Sequence, residues 1–414
     1  MARVKRLFLL LAIAVLPGSL LAQNQWIVTW STGPAPQLAA QTDMVAAKMV
    51  FTNQTLREFV RTSVGGSTCR VRMSNAYGKE SLTIDAAHIA LRAAATGADI
   101  VGGTDRTITF GGRSSITIPP NAVLFSDPIA LEVPAGGDLA ISIYLAKATN
   151  AGGIHYGALT TNYIGVGNQV DAVSFKSSTT VSSFAFVAGV DVAAAPTAAT
   201  IVAFGDSITD GNGSTSNANR RWSDFLAARL RAAGRNDLGV ANVGLSGNRL
   251  YHEPYANMRF GVNALARFGR DVLEQPGAKY VIILEGINDI GQPGTGSGAP
   301  SEAVDDADLI GALKLMADRA HALGIKVIGA TLTPFAVYTG VGYYSDMKNA
   351  QRQAVNHWIR TSGTFDYVLD LDYALRDPSK PDSMQTAYDS GDHLHPGDNG
   401  YKAMAEAIDL TWFR

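Results

Sequence analysis

Two rhythms of apolar and polar positions divide the chain. From Gln25 to about Val192 the apolar residues come in short runs: Arg70–Met73, Leu82–Ile84, Thr107–Phe110, Ser115–Ile118, Ala130–Val133 and Leu139–Tyr144. These runs are rich in Val, Ile, Thr and aromatic residues, and Gly, Pro, Asn or Asp separates them. Short strands with recurring turn residues predict an all-β sandwich or jelly roll. From Thr200 onward the rhythm changes. Thr200–Phe204, Val240–Val243, Tyr280–Leu284, Ile325–Leu332 and Tyr367–Leu371 are compact apolar strands, with helical spacing between them. Arg221–Ala233 places Trp222, Phe225, Leu226 and Leu230 on one helical face, and Gly234 follows as a stop. Asp308–Leu323, Asp346–Arg360 (with Ser345 as its cap) and Asn399–Leu410 read as further helices. Strands that lack a polar face need cover on both sides, so this half is predicted to be α/β, a parallel sheet between helical layers. The alanine-rich Ala193–Ala199 stretch reads as a linker, which sets a β-sandwich domain at 23–192 and an α/β domain at 200–414.

The first residues have a pattern of their own. Three basic residues lie within Met1–Arg6, an apolar run spans Leu7–Leu16, and Ala22 follows a Pro17-Gly18 break. That layout predicts a secretory signal peptide over 1–22 and a secreted product, extracellular or periplasmic. The apolar run is short of the roughly 20 residues a spanning helix needs, so no stable membrane anchor is expected after cleavage. Cys69 is the single cysteine, which leaves no internal disulfide. Its strand-like surroundings predict a buried, unreactive side chain. A formal net charge of −2 offers no basic excess for nucleic acid.

In an open parallel sheet, ligands bind beyond the carboxyl ends of the strands. Gly205-Asp206-Ser207 follows the first of these strands, and Gly244-Leu245-Ser246-Gly247-Asn248 the second. Glu285-Gly286-Ile287-Asn288-Asp289 follows the third, and Asp392-His393-Leu394-His395 precedes the last helix. Together they hold a nucleophile, a base with a carboxylate, and hydrogen-bond donors. A serine hydroxyl needs a base to take its proton, and His395 can serve Ser207. Asp392 can turn back to fix the imidazole tautomer. The Ser207 amide, the Gly247 amide and the Asn288 side chain can supply donors for an oxyanion.

In this combination Gly205-Asp206-Ser207, Gly247, Gly286-x-Asn288-Asp289 and Asp392-x-x-His395 resemble the four signature blocks of the SGNH (GDSL-type) hydrolase family. The resemblance covers Thr200–Arg414. It implies a five-stranded parallel α/β/α sheet and a serine esterase that needs neither cofactor nor metal. It also implies roles: Ser207 as nucleophile, His395 as base, Asp392 as its orienter, and Ser207, Gly247 and Asn288 as the oxyanion hole. The β half is similar, more weakly, to jelly-roll modules that precede such domains in extracellular carbohydrate esterases. The expected partner is a small-molecule or polysaccharide acyl ester, with short acyl groups, acetyl above all, favoured. Alternatives are a lysophospholipase or aryl esterase of the same family, or an inactive glycan-binding surface protein.

Rival readings of single residues are weaker. No Gly-x-Ser-x-Gly elbow occurs. Ser246 lies where an oxyanion loop is expected. His393-x-His395 lacks a third metal ligand at suitable spacing. His252 reads as a loop histidine. Asp206 and Asp289 read as residues that fix loops by hydrogen bonds. Tyr338, Tyr343 and Tyr344 offer either an aromatic wall for substrate or packing against the β half. Gln292–Pro300 reads as a rim loop rather than a phosphate loop.

Overall fold

The structure, a computed structural model, describes residues 25–37, 44–253 and 258–414. The predicted signal peptide at 1–22 lies outside the described residues. Residues 203–403 lie within an α/β half, and antiparallel β-sheets precede it.

In the β half, one sheet is built on the Gly66–Ser74 strand. That strand pairs with Val187–Ala194, which in turn pairs with Gln25–Ser31. A second sheet of six strands centres on Gln54–Arg61 and Asp138–Leu145, paired along their full lengths from Arg61↔Asp138 to Gln54↔Leu145. The alternation along Ile129–Val133, buried at Ile129, Leu131 and Val133 and exposed between, is the expected signature of a strand with one face in a core. Ile27, Val71 and Val190 from one sheet share a single buried cluster with Leu56, Ile89 and Ile141 from the other. Cys69 sits in that cluster, fully buried, and burial pushes its thiol up to about 12.

The second half has one five-stranded sheet with every pairing parallel. Across the sheet the strands run Leu238–Asn242, Ala199–Gly205, Ala278–Leu284, Lys326–Ala330 and Tyr367–Leu369. Ala199–Gly205 is buried at every position, as a strand covered on both faces must be. The chain leaves this strand to one side for Leu238–Asn242 and crosses to the other for Ala278–Leu284. Connections therefore diverge there, and the divergence opens a crevice beyond the carboxyl ends of Ala199–Gly205 and Ala278–Leu284. The helices Trp222–Ala232, Asp306–His321, Asp346–Thr361 and Asp398–Glu406 match the predicted ones within a few residues. Ser345 caps the third of these through Lys348 N, as the sequence predicted. The fifth strand stops at Leu369, because Asp370 caps a short helix, Leu371–Leu375, by accepting from Tyr373 N.

The join between the halves is shorter than the sequence suggests. The Val187–Ala194 strand continues through Ala193 and Ala194, which pair with Trp26 and Gln25, and the parallel sheet begins at Ala199. Alanine has no polar side chain to resist either sheet, so pairing takes both ends of the predicted linker and leaves 195–198 as the turn between the strands. The halves also interlock. Val28 N donates to Thr200 Oγ1 at 2.9 Å, Val240 N to Ser63 Oγ at 2.9 Å, and Arg72 Nη1 to Gln275 Oε1 at 2.8 Å. Val28 belongs to the core of the α/β half. Ser63 and Ser31 of the β half thus occupy backbone groups of the Leu238–Asn242 edge strand, Val240 N and Asn242 O, that the parallel sheet leaves unpaired.

Candidate active site

Ser207 opens a one-turn helix, Ser207–Asp210, directly after the first parallel strand. Asp206 is its cap and accepts from Ile208 N at 2.9 Å. Gly205 makes the sharp exit possible: a Cβ there would lie 2.2 Å from Leu284 O and 2.4 Å from Thr209 Oγ1. Ser207 is thereby held at the crevice mouth, 5% exposed.

The other end of the chain supplies its partner. Ser207 Oγ lies 2.8 Å from His395 Nε2, and His395 Nδ1 lies 2.6 Å from Asp392 Oδ2. A carboxylate only accepts, so Nδ1 carries the proton and Nε2 is free to accept from the serine hydroxyl. The other Asp392 oxygen accepts from Leu394 N at 2.9 Å and His395 N at 2.8 Å. Burial opposes charge on Asp392. The hydrogen bond from His395 and these two amides outweigh it and hold the carboxyl well below its usual range.

The proposed oxyanion donors gather beside Ser207 on the two flanking loops. Gly247 adopts φ +77°, and a Cβ there would lie 2.2 Å from Phe260 Cδ1, so only glycine fits. The Ser207 and Gly247 amides donate to no atom among the described residues. Asn288 stands in the Ile287–Gly291 helix after the third strand. Its Nδ2 donates to Asn248 O at 3.0 Å and its Oδ1 accepts from Tyr343 Oη at 2.8 Å. These two bonds fix which way the amide faces and leave one Nδ2 hydrogen for a ligand.

A buried support beneath these loops escaped the sequence reading. Arg267, 1% exposed, donates to Gly205 O, Val243 O and Asn248 Oδ1 at 2.8, 2.8 and 2.6 Å. One guanidinium therefore ties the ends of two strands to the loop that carries Gly247. Its guanidinium also lies over the Phe204 ring, 4.1 Å from the centroid. Asp289 accepts from Leu250 N and Tyr251 N, the loop-fixing role expected of it, and burial raises it to about 6. Asp206 is raised to about 7, also by burial. Nothing in an isolated Arg267 signals such a hub, because Asn248, Val243 and Gly205 lie 19, 24 and 62 positions away from it.

The rivals are placed elsewhere. Ser246 Oγ donates to Asp210 Oδ2 at 2.6 Å, so its hydroxyl is engaged by a carboxylate and faces no imidazole. His393 pairs with Asp389 at 2.5 Å, with 43% of its side chain exposed. Of the three tyrosines, Tyr343 is buried in the α/β core and Tyr338 and Tyr344 pack against it, not against the β half. No group of three or more His, Cys, Asp or Glu side chains among the described residues is arranged to hold a metal ion. No described helix is long and apolar enough to cross a membrane.

Residues 203–403 match the GDSL-like Lipase/Acylhydrolase family. None of the curated proteins matches the chain in sequence. Among solved structures, a GDSL-like lipase from Bacteroides thetaiotaomicron is 20% identical, with a TM-score of 0.35, and the match covers 50% of this chain and 85% of that one. An acetyl xylan esterase is 20% identical over 51% of this chain and 98% of its own, with a TM-score of 0.37. A mutant acetyl-xylooligosaccharide esterase from Geobacillus Stearmophilus is 20% identical over 50% of this chain and 91% of its own, with a TM-score of 0.38.

Proposed function

With a GDSL-type acylhydrolase domain at residues 203–403 as the premise, we propose that the protein is a secreted serine esterase that removes short acyl groups, acetyl above all, from carbohydrate. The observation that carries the reading is the continuous chain from Ser207 Oγ through His395 to Asp392, at 2.8 and 2.6 Å.

In this reading Ser207 Oγ attacks the ester carbonyl while His395 Nε2 takes the hydroxyl proton. The carbonyl oxygen becomes an oxyanion that the Ser207 and Gly247 amides and Asn288 Nδ2 face. Each donor in such a hole is worth on the order of 3 kcal/mol of barrier. The imidazolium passes its proton to the leaving alkoxide, which departs as the alcohol and leaves an acyl-enzyme. Water then attacks the acyl carbon, His395 takes its proton, and the acid leaves as the proton returns to Ser207 Oγ. Asp392, kept ionised, holds the Nδ1–H tautomer and stabilises the imidazolium that forms.

The short acyl group is argued from the aromatic rings that crowd two glycines near the oxyanion donors. Phe260 occupies the position next to Gly247, and the Tyr343 ring lies where a Cβ on Gly291 would be, 2.1 Å from Cζ. A carbohydrate alcohol and export rest on the amino-terminal pattern and the attached β half. The test is hydrolysis of p-nitrophenyl acetate, longer p-nitrophenyl esters and acetylated xylooligosaccharides. Acetyl should be preferred, and Ser207→Ala should lose at least about a thousandfold in kcat. Full activity in that variant removes the mechanism. A preference for long chains removes the acyl assignment alone.

A further inference from the structure

Among the ionisable side chains that the β half sends into the α/β half, one reaches the Ser207 helix. His155 lies on the Gly153–His155 strand and is 5% exposed. Its Nδ1 is 2.9 Å from Gly33 O, and its Nε2 is 3.0 Å from Asp210 Oδ1. Asp210 is the last residue of the Ser207 helix and is 3% exposed. Its other oxygen accepts from Ser246 Oγ at 2.6 Å and Ser246 N at 3.2 Å. Ser246 immediately precedes Gly247.

The acceptors determine the charge of the ring. A carbonyl and an ionised carboxylate both only accept, so both ring nitrogens must carry hydrogen and His155 is an imidazolium. The groups that face it agree on balance. Burial and the Arg221 guanidinium work against the charge, while Asp210 and Gly33 O raise the pKa above its ordinary value. Asp210 is held below its ordinary range: burial opposes this, but His155, Arg221 and Ser246 outweigh it. Arg221 does not replace the histidine, since its Nε donates to Asp210 O rather than to the carboxylate, and its Nη2 donates to Ala158 O. Ser246, Asp210 and His155 do not form a second triad, because the carboxylate stands between the hydroxyl and the imidazole.

We propose that His155 is a positioning residue for the esterase site: it fixes Asp210, which holds the Ser246–Gly247 loop so that the Gly247 amide faces the oxyanion. The Ser207 helix and the Gly247 loop, two walls of the hole, are thus tied at one carboxylate, and the β half supplies the counter-charge. The β half is part of the catalytic apparatus rather than only an attached module. This inference rests on the proposed serine esterase reading.

The test uses the full chain and five variants. His155→Asn retains a donor near Gly33 O but cannot reach Asp210, whereas His155→Gln can reach Asp210 without the charge. His155→Asn should lower kcat for p-nitrophenyl acetate on the order of 10–100-fold, as expected when a donor is displaced rather than deleted, with KM little changed. His155→Gln should recover part of that loss. Ser246→Ala should also lower kcat, and the double variant His155→Asn/Ser246→Ala should be no worse than the poorer single, because both act through Asp210. The wild-type kcat should fall at alkaline pH as His155 loses its proton, and His155→Gln should lack that limb. Additive losses in the cycle, or wild-type kcat in a folded His155→Asn, overturn the inference while leaving Ser207 in place. Undiminished hydrolysis by Ser207→Ala overturns the esterase reading and this inference with it.

Discussion

Asn288 offers the sharpest quantitative test, because its amide is held by two bonds of known length. Nδ2 donates to Asn248 O at 3.0 Å and Oδ1 accepts from Tyr343 Oη at 2.8 Å. Flipping the amide would place Oδ1 against the Asn248 carbonyl, acceptor against acceptor. Tyr343→Phe removes one of the two restraints and leaves the other. The loss is one net hydrogen bond, about 1 kcal/mol, plus about 1–3 kcal/mol of stability if Oδ1 stays buried without a donor. Because the Asn248 bond still selects the productive face, kcat should fall only about 3–10-fold, or roughly 0.7–1.4 kcal/mol of barrier. Asn288→Ala deletes the donor itself and should cost on the order of 10²–10³ in kcat. Steady-state hydrolysis of p-nitrophenyl acetate gives both values, and a melting curve separates the stability loss from the kinetic one. In each variant KM should change less than kcat, since the donor acts on charge that develops during the reaction. The reasoning fails if Asn288→Ala keeps kcat within about twofold of wild type, or if Tyr343→Phe costs as much as Asn288→Ala while remaining folded.

Gly247→Ala forces an L side chain into φ +77° and sets its Cβ 2.2 Å from the Phe260 ring. The strain of about 1–3 kcal/mol should lower the melting temperature by several degrees and kcat by at least about tenfold; unchanged kinetics would separate Gly247 from the oxyanion hole. Burial raises Asp289 to about 6 in the fold from an ordinary value of 3.8, so the native state holds more protons than the unfolded chain between those values. Its contribution to stability is full below about pH 4 and is lost as pH rises through about 6. Asp289→Asn, followed by melting temperature against pH, should flatten the wild-type decline between pH 4 and 7, and an unaltered slope would refute the assignment.

Much of the fold was legible because its causes are local. The compact apolar strands Thr200–Phe204 and Tyr280–Leu284, the helical stripe of Trp222, Leu226 and Leu230, and the Ser345 cap each declare themselves within a dozen residues. The convergence of the candidate site residues was legible for a related reason. Ser207, Gly247, Asn288, Asp392 and His395 each lie at the end of an element, where chain order alone brings them to one sheet edge. Ala193–Ala199 misled because its composition is compatible with a linker and with an edge of either sheet; only the presence of Trp26 and Gln25 as pairing partners decided between them.

Residue pattern alone set the strand and helix sites, the order of the halves, and a serine, a histidine and an aspartate between elements. What holds those groups still arose only when distant segments folded onto one another. Arg267 on Gly205, Val243 and Asn248, Tyr343 on Asn288, and His155 on Asp210 join residues 19 to 62 positions apart. A hydrogen bond needs its partners within about 3 Å and aligned, and residue type or spacing along a chain carries no record of such meetings. The meeting of His155 with the Asp210 carboxylate and the Gly33 carbonyl is likewise a property of the assembled molecule, and those two acceptors keep the ring charged against the cost of its burial.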